Sequence, residues 1–132
     1  MTNARRESVR QRAGCRCEYC RLPNFALSPE DFHVEHIIAR KHGGRDEEEN
    51  FAWACIFCNL YKGPNLTSYD PDSGELTRLF HPRCDRWQEH FRLEGARIIG
   101  CTPVGRTPCW LLEMNSSLLT RLRESLMREG RW

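Results

Sequence analysis

Lysine is nearly missing from this 132-residue sequence: of its 20 Lys and Arg residues, only Lys41 and Lys62 are lysine. Positive charge is therefore carried by guanidinium groups, which suit planar, paired recognition of phosphate better than diffuse charge does. Net charge is also small, at +2, so bulk electrostatics alone do not announce a nucleic-acid binder. Hydrophobic residues make up 39%, which is lean for a chain that must bury a core unaided, and a structural metal would supply part of the missing constraint. No run approaches the ~20 apolar residues of a membrane helix. The stretch from Met1 to Arg12 is polar and arginine-rich, without the apolar segment of a secretory leader. A cytoplasmic chain with no membrane partner is expected. Its length suits one compact domain spanning residues 1–132, and neither repeats nor low-complexity segments divide it.

Cysteine is what the chain has in quantity, with eight. In a reducing compartment, pairs spaced C-x-x-C read as metal ligands rather than disulfides. Cys17 with Cys20 and Cys55 with Cys58 have that spacing, 34 residues apart. Four thiolates fill a tetrahedral zinc and leave no open position, so the metal is structural. Cys15 is out of phase with its neighbours and reads as a bystander, with substitution as a ligand left open. Cys84, Cys101 and Cys109 lack partners at ligand spacing and read as small core residues.

The pattern along the chain is α+β. Residues 1–14 read as a helix whose arginines are either a solvated face or a phosphate-contacting arm. A loop with Pro23 and Pro29 leads to a β-rich run, Phe32 to Ala39, with Phe32, Val34 and Ile38 expected on the buried face. A polar loop carrying Gly43-Gly44 and the acidic run Asp46 to Glu49 follows, then a returning strand from Phe51 to Ala54. Trp53 is expected in the core. Asn59 to Lys62 opens a short helix that Gly63-Pro64 ends. Beyond it, Asp70-Pro71-Asp72-Ser73-Gly74 marks a hairpin turn, Arg83 to Phe91 reads as a short helix, and Arg92 to Cys101 reads as a second hairpin near Gly95. Helices are expected over Pro103–Met114 and Ser117–Arg128, the second with a core stripe of Leu118, Leu119, Leu122 and Leu126.

Between the two cysteine pairs lies Glu35-His36. A histidine titrates near neutral pH and can take a proton from water, while a neighbouring carboxylate can hold a divalent cation against a phosphate. The dipeptide alone is weak evidence. With its surroundings, the run E-H-I-I-A-R-x-x-G-G, then Asn50, then C-x-x-C-N-x-x-K-G resembles the HNH endonuclease family of ββα-metal type, in its zinc-stapled branch. The resemblance covers residues 15–63. It implies a ββα-metal core with a structural four-cysteine zinc, extended over residues 64–132 by hairpins and C-terminal helices. L-F-H-P-R-C-D-R-W-x-E-H-F looks like the extension of some small bacterial members.

That resemblance implies His36 as general base, Asn50 as the residue that fixes the His36 loop, and Glu35 with Asn59 as ligands of a catalytic Mg2+ or Mn2+. Glu35 stands where aspartate is commoner, and Asn59 where a third histidine is commoner, giving an H-N-N variant. The implied activity is hydrolysis of DNA phosphodiester bonds to a 3′-hydroxyl and a 5′-phosphate, on duplex DNA, by a monomer or homodimer. Arg40, Lys41, Lys62, Arg83 and Arg86 are candidate nucleic-acid contacts. His33 either supports the metal site or packs, and His42 is either a loop residue or a phosphate contact. His81, Arg83, Arg86, Trp87 and His90 form a cluster that either touches DNA or braces the extension. The alternative function is a non-catalytic, zinc-stabilised nucleic-acid-binding module. A protein-interaction domain would give no reason for Glu35-His36 and two asparagines to surround a zinc knuckle.

Overall fold

A computed structural model describes all 132 residues. Helix α1 (Asn3–Arg12) is capped by Thr2, whose hydroxyl accepts the Arg5 N–H, and buries little besides Val9. The first cysteine pair lies in the turns that follow. Strands β1 (Phe32–His36) and β2 (Phe51–Cys55) form an antiparallel pair that sets Glu35 opposite Ala52 and His36 opposite Phe51. All of β2 is buried, and Trp53 stacks on Phe32 at 5.8 Å between ring centres. Helix α2 (Ile56–Lys62) starts earlier than its sequence suggests. The Cys55 sulfur caps it by accepting the Cys58 N–H, so the second knuckle is itself the first turn of the helix. The order β1, loop, β2, knuckle, α2 is the expected ββα unit.

Two expectations for β1 change. The chain leaves the strand after His36, so Ile37 turns inward at 3% exposure and Ile38 lies at the surface. The loop then closes so tightly on Ile38 that a Cβ on Gly44 would lie 1.6 Å from the Ile38 carbonyl oxygen; only glycine fits there.

The extension carries hairpins β3–β4 (Thr67–Tyr69 and Leu76–Arg78) and β5–β6 (Phe91–Glu94 and Arg97–Gly100). Between them, α3 (Trp87–His90) is shorter than the expected helix from Arg83. Helix α4 (Pro103–Leu111) stops before Met114, because Glu113 takes a left-handed φ of 49°. Helix α5 (Ser117–Arg128) has the expected bounds, but its inner face uses Leu119, Arg123 and Leu126, and Leu118 is exposed. Cys84 and Cys101 are likewise exposed, so these two are not core residues, whereas Cys109 is half-buried and packs against the core. One apolar cluster runs from Val9 and the four knuckle cysteines through Phe80, Trp87 and Phe91 to Leu126. Core and extension share it. No helix is long and apolar enough to cross a membrane.

Candidate active site

The four knuckle cysteines converge. Cys17, Cys20, Cys55 and Cys58 are fully buried, and their sulfurs all lie within 4.8 Å of one another. Cys20 and Cys55 are 3.7 Å apart, close to the ~3.8 Å edge of a tetrahedron with Zn–S bonds of ~2.3 Å. Hydrogen bonding to Cys17 holds the Cys20 and Cys58 thiols well above the ordinary thiol range. A soft divalent cation is what allows four thiolates to share so small a space. The donor set fits structural zinc. Cys15 is not part of it; its sulfur accepts from Arg10 instead.

Tyr19 sits inside the first knuckle, and its hydroxyl donates to Glu35 Oε1 at 2.6 Å. The second Glu35 oxygen faces Lys62 Nζ at 3.1 Å, and Lys62 also donates to the Ile37 carbonyl at 2.9 Å. Glu35 is 5% exposed and Lys62 2%. Burial pushes the Glu35 carboxyl above its ordinary range, with the Lys62 charge opposing that shift. Strand alternation explains the direction: successive side chains leave a strand on opposite sides, so Glu35 points inward and His36 outward. Lys62, expected at a helix end beside phosphate, is thus turned into the core as the counter-charge of Glu35. Asn59 is half-buried one turn earlier on α2.

Asn50 is buried where the loop rejoins β2. Its Oδ1 accepts the Ile38 N–H, and its Nδ2 donates to the carbonyls of Ile38 and Arg45, all at 2.9 Å. The side-chain amide thereby continues the β1–β2 ladder for one more residue and ties both ends of the 38–45 loop. Just ahead of that loop, the His36 ring stands edge-on to Phe51 at 5.2 Å. Its Nε2 lies 2.7 Å from Asp46 Oδ1.

His36 opens onto a cleft of about 340 Å³ lined by Met1, Arg5, Arg6, His33, Val34, Arg40 and Asp46. Arg5 and Arg6 reach it from α1, with their guanidinium groups over Phe51 and Trp53 at 5.1 and 4.6 Å. The cleft therefore holds His36, Arg40 and His33 of the expected residues, adds Arg5, Arg6 and Asp46, and does not include Glu35 or Asn59.

Residues 17–65 match the family described as HNH endonuclease. The match covers 49 of the 132 residues, so over its core the chain is similar to that family. Comparison with curated proteins and with solved structures returned no match. The match spans both knuckles, β1, β2 and α2 and stops where the extension begins, so this HNH-like core, called the HNH core below, contains the four-cysteine cluster, His36 and Asn50 together.

The remaining candidates divide. Lys41 and His42 are exposed in the loop, and Arg86 is exposed at the start of α3. Arg83 is bonded to Glu18 beside the first knuckle, and Trp87 Nε1 donates to the Tyr19 carbonyl at 2.7 Å. This part of the cluster braces the extension against the core. Arg5, Arg6 and Asp46 carried no motif signal, because they meet His36 only through folding. Their sole trace in sequence was the charge run of residues 5–12 and the acidic run after Gly44.

Proposed function

We propose that the protein hydrolyses phosphodiester bonds in duplex DNA, with His36 as the base that deprotonates water. The observation that carries this reading is a half-buried histidine within the HNH core, opening onto a cleft rimmed by three arginines. Arg5, Arg6 and Arg40 supply planar donors for a phosphate whose charge rises as water attacks. Exposed Lys41 and Arg86 extend positive charge along the backbone of a longer duplex. Such contacts read phosphate rather than base edges, so sequence preference would have to come from the extension or from a partner. Asn50 holds the loop that carries the rim. One such site per chain suits a monomer that nicks, or a homodimer that cuts both strands.

HNH chemistry uses a divalent cation, and Mg2+ or Mn2+ is the expected kind. Of Glu35 and Asn59, the donors assigned to it by resemblance, Glu35 offers no open position. The Glu35 carboxylate is enclosed by Tyr19 and Lys62, and a cation entering there would meet a buried ammonium. That enclosure is also the observation favouring the second reading, a zinc-stabilised module that binds nucleic acid without cutting it. Plasmid cleavage by EDTA-treated protein, with magnesium, manganese or no metal added back, separates the two when His36→Ala is run beside it. Cleavage that vanishes in the variant while zinc content is unchanged supports the nuclease. Binding without cleavage by the zinc-loaded wild type, on duplex, single-stranded and branched DNA, supports the module.

A further inference from the structure

We propose that Asp46, buttressed by Arg40, is a positioning residue that fixes the tautomer of His36 and so selects the ring nitrogen that acts as base. The proposal rests on the reading of His36 as general base, and it concerns a carboxylate outside the motif residues.

The geometry is a short chain of three side chains. Arg40 Nη2 donates to both oxygens of Asp46 at 3.1 Å, its Nε adds a contact to Oδ1 at 3.3 Å, and Oδ1 lies 2.7 Å from His36 Nε2. The His36 and Arg40 bonds both favour the charged form of Asp46 and hold its carboxyl below the ordinary range. An ionised carboxylate can only accept, so Nε2 must carry the hydrogen of the 2.7 Å bond. In the neutral ring that leaves the lone pair on Nδ1, which has no protein partner. Proton abstraction from water therefore falls to Nδ1.

The backbone holds the chain of three from both sides. Asn50 ties Ile38 and Arg45, the ends of the loop that presents Arg40 and leads directly into Asp46, and Arg5 donates to the Asp46 carbonyl at 3.5 Å. Phe51 limits rotation of the ring. Without Asp46, nothing distinguishes the two imidazole nitrogens, and both tautomers and ring flips become accessible. Arg40 thus has a structural partner in the free protein as well as a place on the rim of the cleft.

The test uses the full-length, zinc-loaded protein with 15N-labelled histidine. Long-range 1H–15N spectra, recorded at a pH where His36 is neutral, report its tautomer independently of activity. The wild type is expected in the Nε2–H form. Asp46→Ala is expected to give a tautomer mixture and to cleave about 10- to 100-fold more slowly, the range for partners that orient an imidazole, with zinc content unchanged. Asp46→Glu should restore much of both readouts. An Nδ1–H wild-type ring, or an Asp46→Ala protein with wild-type tautomer and rate, overturns the proposal. If His36→Ala cleaves like the wild type, the reading of His36 as base fails, while the spectra still decide whether Asp46 sets its tautomer.

Discussion

Glu35 and Asp70 are buried carboxylates in different halves of this molecule, and although burial raises the pKa of both, their net shifts run in opposite directions. Glu35, in the HNH core, is closed in by one phenol and one ammonium, and desolvation outweighs those partners, so its carboxyl is held above the ordinary range. Asp70, in the extension, is 1% exposed, yet its carboxyl is held far below the ordinary range. The difference is the number and geometry of donors. Arg106 reaches both Asp70 oxygens, at 3.1 and 2.8 Å, the Asp72 N–H donates at 3.1 Å and the Ser73 hydroxyl at 2.9 Å. Arg106 itself remains partly in water, so only one member of that pair is fully desolvated. In the Glu35–Lys62 pair both are. A buried charge is comfortable when its hydrogen bonds are complete, not merely when an opposite charge is near.

The largest expected effect comes from removing the frame that encloses Glu35. Tyr19 lies within the first knuckle, so Cys58→Ser, or exhaustive chelation, should abolish cooperative unfolding of the core as well as zinc binding. Thermal melts by circular dichroism beside zinc analysis decide this, and an unchanged melt in zinc-free protein would contradict it. Next comes the pair itself. Lys62→Ala leaves Glu35 buried without its counter-charge and should cost about 3–5 kcal/mol in urea unfolding, whereas Lys62→Met combined with Glu35→Gln should recover most of that loss. A single-variant cost below about 1 kcal/mol would mean that the pair relaxes to solvent.

The halves also share a device, which sharpens the contrast. Asn115 pairs with Ile98 through both its amide groups at 2.8 Å, as Asn50 does with Ile38. Either asparagine replaced by alanine leaves backbone groups without partners, for about 1–3 kcal/mol. Asn115→Ala should lie toward the upper end, because its oxygen also receives the fully buried Arg123. Asn50→Ala should instead show its excess in cleavage, because its loop carries Arg40 and Asp46. Equal stabilities and equal cleavage for the two variants would remove the distinction.

The smallest effect is in acid. Because Asp70 has a lowered carboxyl pKa in the folded state, its contribution is present above the ordinary aspartate value, near ~4. It is lost as pH falls below that. Arg106→Ala should therefore flatten the acid-side decline of stability below about pH 4. Glu35 has the opposite sign, since a raised carboxyl pKa favours the fold at low pH and costs stability as pH rises. Urea titrations between acid and neutral pH separate the two slopes, and an acid limb unchanged in Arg106→Ala would show that Asp70 does not set it.

Much of this was legible in the residues. Spacing alone gathered the four knuckle cysteines, because two residues between thiols is the span of one tight turn. Asp70 to Gly74 announced its hairpin, and the leucines after Ser117 announced α5. The HNH run marked the stretch that matches the family model. Sequence reasoning failed at partners remote in the chain: the inward turn of Glu35 onto Lys62, the exposure of Leu118 and burial of Arg123 on one helix, and the pairing of His36 with Asp46. Local pattern says which residues are polar. It does not say which face of a strand another element will cover.

The sequence by itself determined the zinc cluster, the ββα order and the neighbourhood of His36, since each depends on short-range spacing and turn chemistry. Only the tertiary structure decided what the charges do. Packing α2 against β1 buried Glu35 with Lys62, and closing the 38–45 loop through Asn50 placed Asp46 on the ring of His36. Charges interact through space, and the fold sets their distances and their access to water.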